Sequence, residues 1–172
     1  MTDAKVVCDL VILLENNRIG VWLDGGWGVD ALLGEQTRPH EDVDIVLQEK
    51  YLPKLRELLE ARGYRDVERD DTSAWNFVLG DDKGHLVDVH AFHFDANGNG
   101  IYGNSGETYP ADSLKGTGNV DGQQVKCISA EQLVKFISPW LYKRRDKNLK
   151  DVAALCEKFG IDLPEEYKKY VP

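Results

Sequence analysis

Residues 20–35, GVWLDGGWGVDALLGE, predict a short strand, a tight turn that contains two glycines, and then a helix. Val21–Leu23 forms the apolar strand, and the helix runs from Trp27 to Leu33, with Gly34 ending it. Backbone N–H groups at the start of a helix that follows such a turn bind phosphate groups. The stretch therefore predicts a phosphate site, and the rest of the sequence must indicate which fold carries it.

The same stretch also matches the dinucleotide-binding fingerprint G-x-G-x-x-A over residues 26–31. In that fold an acidic residue closes the second strand, beside the ribose. Here Asp42 and Asp44 open the next apolar run, DVDIVL, instead of closing it. The predicted strands 75–79 and 86–91 are also too close in sequence for a helical crossover. A dinucleotide fold is therefore disfavoured, and the lack of Gly-Lys-Ser/Thr excludes a Walker P-loop.

The composition is that of a globular, acidic protein. Its 172 residues suffice for one domain, or for one domain with a small helical appendage. Thirty acidic side chains against 21 basic ones give a net charge of -9. This balance disfavours a nucleic-acid partner and favours a cationic substrate.

The cysteines and the N-terminal segment indicate a cytoplasmic protein. Cys8, Cys127 and Cys156 are odd in number and show no C-x-x-C spacing, so neither a disulfide framework nor a zinc site is predicted. The apolar run 6–14 is interrupted by Asp9 and has no basic region before it. It predicts an amphipathic helix, with neither a signal peptide nor a membrane span.

Periodicity and turn residues divide the remainder of the chain into short elements. The predicted elements are a strand at 42–47, a helix at 51–63 with Gly63 as its C-cap, strands at 75–79 and 86–91, a hairpin at 120–125, a helix after Ser129 with Leu133, Phe136 and Ile137 buried, and a helix at 147–159. Seven of the sixteen glycines lie between Gly98 and Gly122, which predicts loops and short hairpins whose role the sequence leaves open. The best candidate boundary lies near Cys127, giving a core of residues 1–126 and a helical segment of residues 127–172, unless both form one domain.

Two carboxylates open the strand at 42–47. Asp42 and Asp44 flank Val43, and a spacing of two places both carboxylates on the same face of a strand. Two anions so close repel each other and are normally held by a cation between them, for which Mg²⁺ is the natural choice. The alternative is a solvated strand start that carries two acidic residues by chance.

A third carboxylate strengthens the metal interpretation. Asp88 and His90 share one face of the strand at 86–91, and Val87 and Val89 share the other. If this strand pairs beside the first one, the three carboxylates Asp42, Asp44 and Asp88 converge and are able to hold two metal ions. The alternative is a lone charge on an edge strand.

Further polar residues flank these strands. Arg38 is a candidate phosphate ligand and His40 a candidate support for the metal site, whereas a surface charge is the alternative for Arg38. His90 is a candidate for orienting the substrate or for the metal shell. The alternative is a strand histidine that is simply hydrogen-bonded. A basic run is interpreted as a solvated loop, with pyrophosphate binding as the alternative; it comprises Lys143, Arg144, Arg145 and Lys147.

These residues together resemble the DNA polymerase beta-like nucleotidyltransferase superfamily, whose signature is Gly-Gly before a helix, Asp-x-Asp, and a distant third Asp. Within it, WLDGGWGVDALLGEQTRPHEDVDIVL, residues 22–47, is similar to lincosamide nucleotidyltransferases and, less closely, to aminoglycoside 2''-nucleotidyltransferases. The similarity continues through LVDVHAF and, more loosely, to DVAALCEKFGI, so it covers most of the chain. The pattern Asp88-x-His90 resembles the lincosamide enzymes in particular.

The resemblance implies an α+β fold of the polymerase beta-like type, with a mixed twisted sheet, helices packed on one side and a small C-terminal helical part. It implies that Gly25 and Gly26 bind the triphosphate of ATP, and that Asp42, Asp44 and Asp88 hold two Mg²⁺ ions. Asp88 would serve as metal ligand, as proton acceptor, or as both. The reaction implied is attack of an antibiotic hydroxyl on the α-phosphorus of ATP, with transfer of AMP and release of pyrophosphate.

A lincosamide is the expected acceptor, followed by an aminoglycoside. The resemblance also suggests a homodimer. Two alternatives stay open at this point: a nucleotidyltransferase that modifies a protein partner, as an antitoxin does, and a nucleotide-binding module without catalysis. The modified hydroxyl and the preferred base are not readable from the sequence.

Overall fold

The computed structural model of the chain describes residues 1–143 and 145–170. The helices are α1 (Ala4–Asn16), α2 (Gly25–Leu33), α3 (Leu52–Glu60), α4 (Ala130–Ile137), α5 (Arg145–Phe159) and α6 (Glu165–Lys168). The strands are β1 (Val21–Leu23), β2 (Asp42–Gln48), β3 (Arg65–Val67), β4 (Asn76–Gly80), β5 (Leu86–Phe94), β6 (Gly100–Tyr102), β7 (Thr108–Tyr109), β8 (Gly116–Val120) and β9 (Gln123–Cys127).

The strands form one mixed sheet in the order β3-β4-β5-β2-β1-β9-β8, with β6 added to the edge of β5 and β7 added to β6. β2 runs parallel to β5, and β1 runs parallel to β9. The remaining pairs are antiparallel, for example β4 with β5 and β8 with β9. The predicted mixed sheet with helices, of the α+β class, is confirmed.

The pairing of β2 with β5 places the acidic residues. The register puts Asp42 opposite Leu86, Asp44 opposite Asp88, and Val46 opposite His90. Asp44 and Asp88 are therefore direct neighbours on adjacent strands. The pairing expected from the sequence is confirmed, and the apolar residues between the carboxylates, such as Val43 and Val87, are fully buried.

Helix α2 begins two residues earlier than the sequence predicts. Asp24 is its N-cap, and its side chain accepts a hydrogen bond from the backbone N–H of Gly25 at 2.8 Å. Gly25 and Gly26 thus lie in the first turn of the helix and do not precede it. The predicted end is confirmed, since Gly34 adopts a left-handed conformation with a φ of 82°.

Other differences concern short elements. Strands β3, β6 and β7 have two or three residues each, too few for an alternating pattern to be recognised in the sequence. Helix α3 ends at Glu60, ahead of the predicted Gly63 cap, because residues 61–63 form a turn. In α4 the buried residues are Ala130, Gln132, Leu133 and Val134, whereas Phe136 and Ile137 are only partly buried.

Helix α2 lies at the centre of the packing. Its residues from Trp27 to Leu32 are all buried, and it packs against β8, β2 and the helices α4 and α5. A helix that is covered on every side needs no polar face, which fits its apolar sequence. No helix in the part of the chain that the structure describes is long and apolar enough to cross a membrane.

The helical segment after Cys127 is tied to the rest of the chain by polar contacts as well as by packing. The Arg38 guanidinium donates to both carboxylate oxygens of Asp151 on α5, at 3.3 and 2.8 Å. Lys158 Nζ donates to the carbonyl of Leu33 at 2.7 Å. We propose from these contacts that the core, residues 1–126, and the helical segment, residues 127–172, unfold as one unit.

Replacing Asp151 by Ala tests this coupling. The variant leaves the Arg38 guanidinium, which is only 18% exposed, without its anionic partner. We expect a loss of about 3 kcal/mol in the free energy of unfolding, because a largely buried charge loses its partner. The measurement is urea denaturation followed by circular dichroism and by tryptophan fluorescence. Asp9→Ala removes the exposed Lys5–Asp9 pair and should cost less than about 1 kcal/mol. Two separate transitions in the unmodified chain would contradict the single unit.

Candidate active site

Three side chains on β2 and β5 form a compact group of metal-ligand atoms. In the described residues, one carboxylate oxygen each of Asp44 and Asp88 and one ring nitrogen of His90 lie within 4.8 Å of one another. His90 Nε2 is 3.7 Å from Asp44 Oδ1 and 3.6 Å from Asp88 Oδ1. The group has the donor types and spacing that fit a divalent cation. Asp42 lies beside this group but is not part of it.

Arg69 reaches the same carboxylates from the segment between β3 and β4. Its guanidinium donates to Asp88 Oδ2 at 3.0 Å and lies 3.9 Å from Asp42 Oδ2. It thus carries positive charge between two acidic residues on neighbouring strands. No periodic pattern or motif in the sequence pointed to Arg69, because it lies in an irregular segment.

The surroundings give the acidic residues different pKa values. Burial raises the pKa of Asp88 to about 6, against the opposing effect of His90 and Arg69. Burial acts on Asp44 in the same direction, but the hydrogen bonding and charge of His90 lower its pKa overall, below the ordinary value. Burial and the charge of Asp44 raise the pKa of Asp42. Asp44 is therefore the most firmly ionised member of the group.

The pKa of His90 is shifted in the direction opposite to the one that burial alone would give. Burial alone would lower the pKa of its ring, but Asp44 and Asp88 raise it to about 9. The ring is 21% exposed and lies on the polar face of β5. His90, predicted as a substrate ligand or a metal-shell residue, is placed by the structure among the candidate metal ligands.

The first turn of α2 closes against this group. A Cβ at Gly25 would collide with the carboxylate of Asp44, and one at Gly26 would collide with the His40 ring and would lie 2.6 Å from an Arg38 nitrogen. Gly25 also has a φ of 52°, a conformation that favours glycine. The N-terminus of α2 and the Asp44 carboxylate are therefore direct neighbours.

Arg38 and His40 lie behind that turn, in a buried network. His40 Nε2 pairs with Asp30, and His40 Nδ1 faces an Arg38 nitrogen at 2.9 Å, so Nδ1 is the acceptor and Nε2 carries the proton. Arg38 also donates hydrogen bonds from Nε and Nη2 to the Asp151 carboxylate. Since both ring nitrogens of His40 are occupied and the residue is 3% exposed, the structure does not bring His40 to the metal-ligand group.

Lys147 adds positive charge on the side of α5. It lies in α5, which begins at Arg145, two residues before the predicted helix start, so the solvated-loop interpretation of the basic run does not hold for Lys147. Its charge partly offsets the rise in the pKa of Asp42 and contributes to the lowered pKa of Asp44. Lys147 and Arg38 line a cavity of about 340 Å³ between α2 and α5. Of the other members of the predicted basic run, Arg144 and the side chain of Arg145 lie outside the described residues.

Asp24 is a further acidic residue at the site that sequence reasoning did not single out. Besides capping α2, its carboxylate faces the Tyr109 hydroxyl at 3.4 Å. Burial raises the pKa of Asp24, and the nearby charge of Asp44 adds to this effect. Its place directly before the two glycines was the available signal, because Asp is a preferred N-cap residue.

This arrangement combines two functions at one edge of the sheet. The amides and the dipole of α2 favour negative charge, the adjacent carboxylates favour a cation, and the His90 ring supplies a nitrogen ligand once its Nε2 proton is displaced. A metal-bound polyphosphate satisfies both at once. The geometry is thus suited to binding a nucleoside triphosphate and to accepting a proton at Asp88.

Comparison with known proteins gives consistent matches over most of the chain. A family model described as aminoglycoside-2''-adenylyltransferase matches residues 6–155. A lincosamide resistance protein of Staphylococcus haemolyticus is 31% identical over 147 residues, covering 81% of this chain and 89% of that relative.

Two solved structures are similar in fold. The lincomycin-bound crystal structure of the lincosamide antibiotic adenylyltransferase LnuA superposes with a TM-score of 0.74 at 27% identity, covering 91% of this chain and 96% of that one. The crystal structure of ANT(2")-Ia in complex with adenylyl-2"-tobramycin gives a TM-score of 0.75 at 20% identity, covering 96% and 92%. At the lower identity, the second match shows the fold alone.

Replacing Gly25 by Ala should disturb Asp44 selectively. The added methyl group displaces the Asp44 carboxylate, so we expect the Mn²⁺-induced rise in melting temperature to be largely lost. Gly34→Ala is the matched control, because Gly34 has a positive φ in the same chain segment but no atom within 4 Å of its Cβ position. That variant should cost about 1 kcal/mol of stability and keep the response to Mn²⁺. An unchanged response in Gly25→Ala would contradict the assigned contact.

The metal-free protein should lose stability as the pH rises from about 6.5 to 9. The pKa of His90 is raised from 6.5 to about 9 by folding, so its protonated form stabilises the native state below pH 6.5 and this contribution disappears through pH 9. We expect a loss of the order of 2 kcal/mol, measured by denaturation in the presence of a chelator. His90→Gln should remove the decline, whereas the exposed His93→Gln should retain it. The same slope in His90→Gln would count against the His90 contacts.

Proposed function

The chain belongs to the aminoglycoside-2''-adenylyltransferase family, and we propose that it transfers AMP from ATP to a hydroxyl group of a lincosamide antibiotic. Members of this family named above are antibiotic nucleotidyltransferases, and this chain is an enzyme of that type. The observation that carries the proposal is the group of Asp44, Asp88 and His90 beside the N-terminus of α2. This group combines a cation site, a phosphate site and a proton acceptor at one sheet edge.

A lincosamide is favoured over an aminoglycoside by the range of the similarity. The relative that is 31% identical over 89% of its own length is a lincosamide resistance protein. An aminoglycoside 2''-nucleotidyltransferase of Escherichia coli is 29% identical, but over only 40% of its length. The net charge of -9 suits a cationic drug of either class.

The triphosphate is proposed to bind at the first turn of α2. Backbone N–H groups at the start of a helix bind anions, and the helix dipole favours negative charge. Arg38 and Lys147 provide positive charge on the side of the cavity between α2 and α5. His40 supports this turn by holding Arg38 against Gly26, so we assign it a positioning role and no direct contact with phosphate.

Mg²⁺ is the proposed cation, held by Asp44, Asp88 and His90. When bound, it would neutralise charge on the triphosphate and so favour attack at the α-phosphorus. Asp42 and Asp88 share the Arg69 guanidinium, at 3.9 and 3.0 Å, and the use of two ions with Asp42 as a ligand remains a prediction. The imidazole ligand makes the donor set suitable for Mn²⁺ or Co²⁺ as well.

Asp88 is the proposed proton acceptor. A pKa of about 6 leaves it mostly ionised at neutral pH and yet more basic than an ordinary carboxylate. The acceptor hydroxyl gives its proton to Asp88 while its oxygen forms a bond to the α-phosphorus. The bond from the α-phosphorus to the bridging oxygen breaks, and pyrophosphate leaves with that electron pair. The product is a phosphodiester that links the drug oxygen to adenosine.

We further propose that the protein is a cytoplasmic homodimer without nucleic-acid partners. The acidic charge supports the lack of nucleic-acid partners, because it repels a polyanion.

Incubation with ATP, Mg²⁺ and a panel of lincomycin, clindamycin, tobramycin and kanamycin tests the proposed function. We expect a mass gain of one AMP on lincomycin and clindamycin, detected by mass spectrometry, with stoichiometric release of pyrophosphate. Asp88→Asn should lower kcat by at least about 100-fold because the proton acceptor is lost. Asp112→Asn, at an exposed carboxylate outside the site, should retain full activity.

Modification of tobramycin or kanamycin alone would overturn the choice of drug and keep the reaction type. No adduct on any of the four drugs would overturn the antibiotic assignment. An Asp88→Asn variant as active as the unmodified enzyme would overturn the role of Asp88.

A further inference from the structure

A chain of hydrogen bonds leads from the backbone before β4 to the ring of His90. Asn76 Nδ2 donates to the carbonyl oxygen of Asp71 at 3.1 Å, and the Tyr102 hydroxyl donates to Asn76 Oδ1 at 3.0 Å. The same Tyr102 oxygen lies 3.1 Å from His90 Nδ1. These contacts join β4, β5 and β6 at the polar edge of the candidate active site.

The direction of each hydrogen bond is fixed by the one before it. A backbone carbonyl only accepts, so the Asn76 amide must turn its NH₂ group to Asp71 and its oxygen to Tyr102. Tyr102 has a single hydroxyl proton, and that proton goes to the Asn76 oxygen. The Tyr102 oxygen therefore accepts from His90, and His90 carries a proton on Nδ1.

This direction determines what faces the carboxylates. With Nδ1 protonated and turned to Tyr102, it is Nε2 of His90 that points toward Asp44 and Asp88. In the neutral ring this nitrogen carries a lone pair. Facing two carboxylates, Nε2 needs a positive charge between itself and them: a proton in the metal-free protein, or a divalent cation that takes the place of that proton and accepts the lone pair.

We propose that Tyr102 and Asn76 are positioning residues that hold His90 with Nε2 available as a nitrogen ligand for the divalent cation. The proposal rests on the proposed function, because the cation is the one that the reaction uses. It also gives a role to the glycine-rich segment 98–122, which supplies Tyr102 on β6. Without that strand, the ring would have no acceptor for its Nδ1 proton.

The strand register places Asn76 and Tyr102 beside His90. Asn76 is directly opposite His90 in the β4–β5 pair, and Tyr102 is opposite Phe92 in the β5–β6 pair. His90 and Phe92 are two residues apart and so share one face of β5. Asn76 and Tyr102 therefore lie in succession along the same edge of β5, on the side away from β2.

Tyr102→Phe removes the acceptor while keeping the aromatic ring. We expect the Co²⁺ affinity of the otherwise intact protein, measured by calorimetry without nucleotide or drug, to fall about tenfold. The Mg²⁺ affinity, measured by competition with Co²⁺, should fall much less, because Mg²⁺ depends mainly on oxygen ligands. The visible absorption of bound Co²⁺ should change as it does in His90→Gln. A structural defect would instead weaken both metals alike.

A double-mutant cycle isolates the action of Tyr102 on His90. In the His90→Gln background, Tyr102→Phe should have no further effect on Co²⁺ affinity, since no ring remains to be positioned. Asn76→Leu should weaken Co²⁺ binding as well, because it frees the Tyr102 proton to turn toward Nδ1. Tyr64→Phe, a hydroxyl deletion at a buried tyrosine outside the site, is the matched control and should leave Co²⁺ binding unchanged.

Unchanged Co²⁺ affinity in Tyr102→Phe, or an equal loss in both backgrounds, would overturn the proposal. Absence of Co²⁺ binding by the unmodified protein would overturn it together with the proposed metal site. If the Co²⁺ affinities follow the expectation but no antibiotic is adenylylated, the proposal stands and only the choice of substrate fails.

Discussion

The parallel pairing of β2 with β5 is the interaction on which the site depends. It places Asp44 and Asp88 side by side. Asp42 lies two residues before Asp44 on β2, and His90 lies two residues after Asp88 on β5. Carboxylates at this separation repel each other, and partial burial makes the repulsion stronger. The fold balances it with cationic groups from three other positions: the His90 ring, Arg69 and Lys147. The sheet thus holds a local charge distribution that a divalent cation and a polyphosphate relieve further.

A close approach of backbone to side chain is the second constraint. Helix α2 starts against the Asp44 carboxylate and against the Arg38–His40 pair, and only glycine leaves enough space at positions 25 and 26. The same pair is anchored to α5 through Asp151. The first turn of α2 is therefore held from two sides, by the strand that carries the carboxylates and by the C-terminal helices. This explains how a C-terminal segment with few predicted site residues still contributes to the geometry of the site.

The parts of the site that could be predicted from sequence are those with a fixed spacing. Asp42 and Asp44 share a strand face because of the period of two, and the glycines before Trp27 identify the start of a helix. Arg69 lies in an irregular segment, where no period relates it to Asp88, so its contact could not be predicted. Tyr102 lies on a strand of three residues within a glycine-rich segment, which reads as a loop. The position of His40 depends on contacts distant in the sequence, because Asp30 and Arg38 hold its ring behind α2.

The two neighbouring carboxylates differ in chemistry even though the strand register makes them equivalent. Burial acts to raise the pKa of both carboxyls. The hydrogen bond and charge of His90 nevertheless lower the pKa of Asp44 below its ordinary value, whereas the pKa of Asp88 is about 6. A firmly ionised carboxylate is suited to hold a cation, and a more basic one is suited to take a proton. The direction in which His90 is held therefore affects more than metal binding. By favouring the charged form of Asp44, it leaves Asp88 as the group whose protonation state changes near neutral pH, and so separates the roles of two otherwise identical side chains.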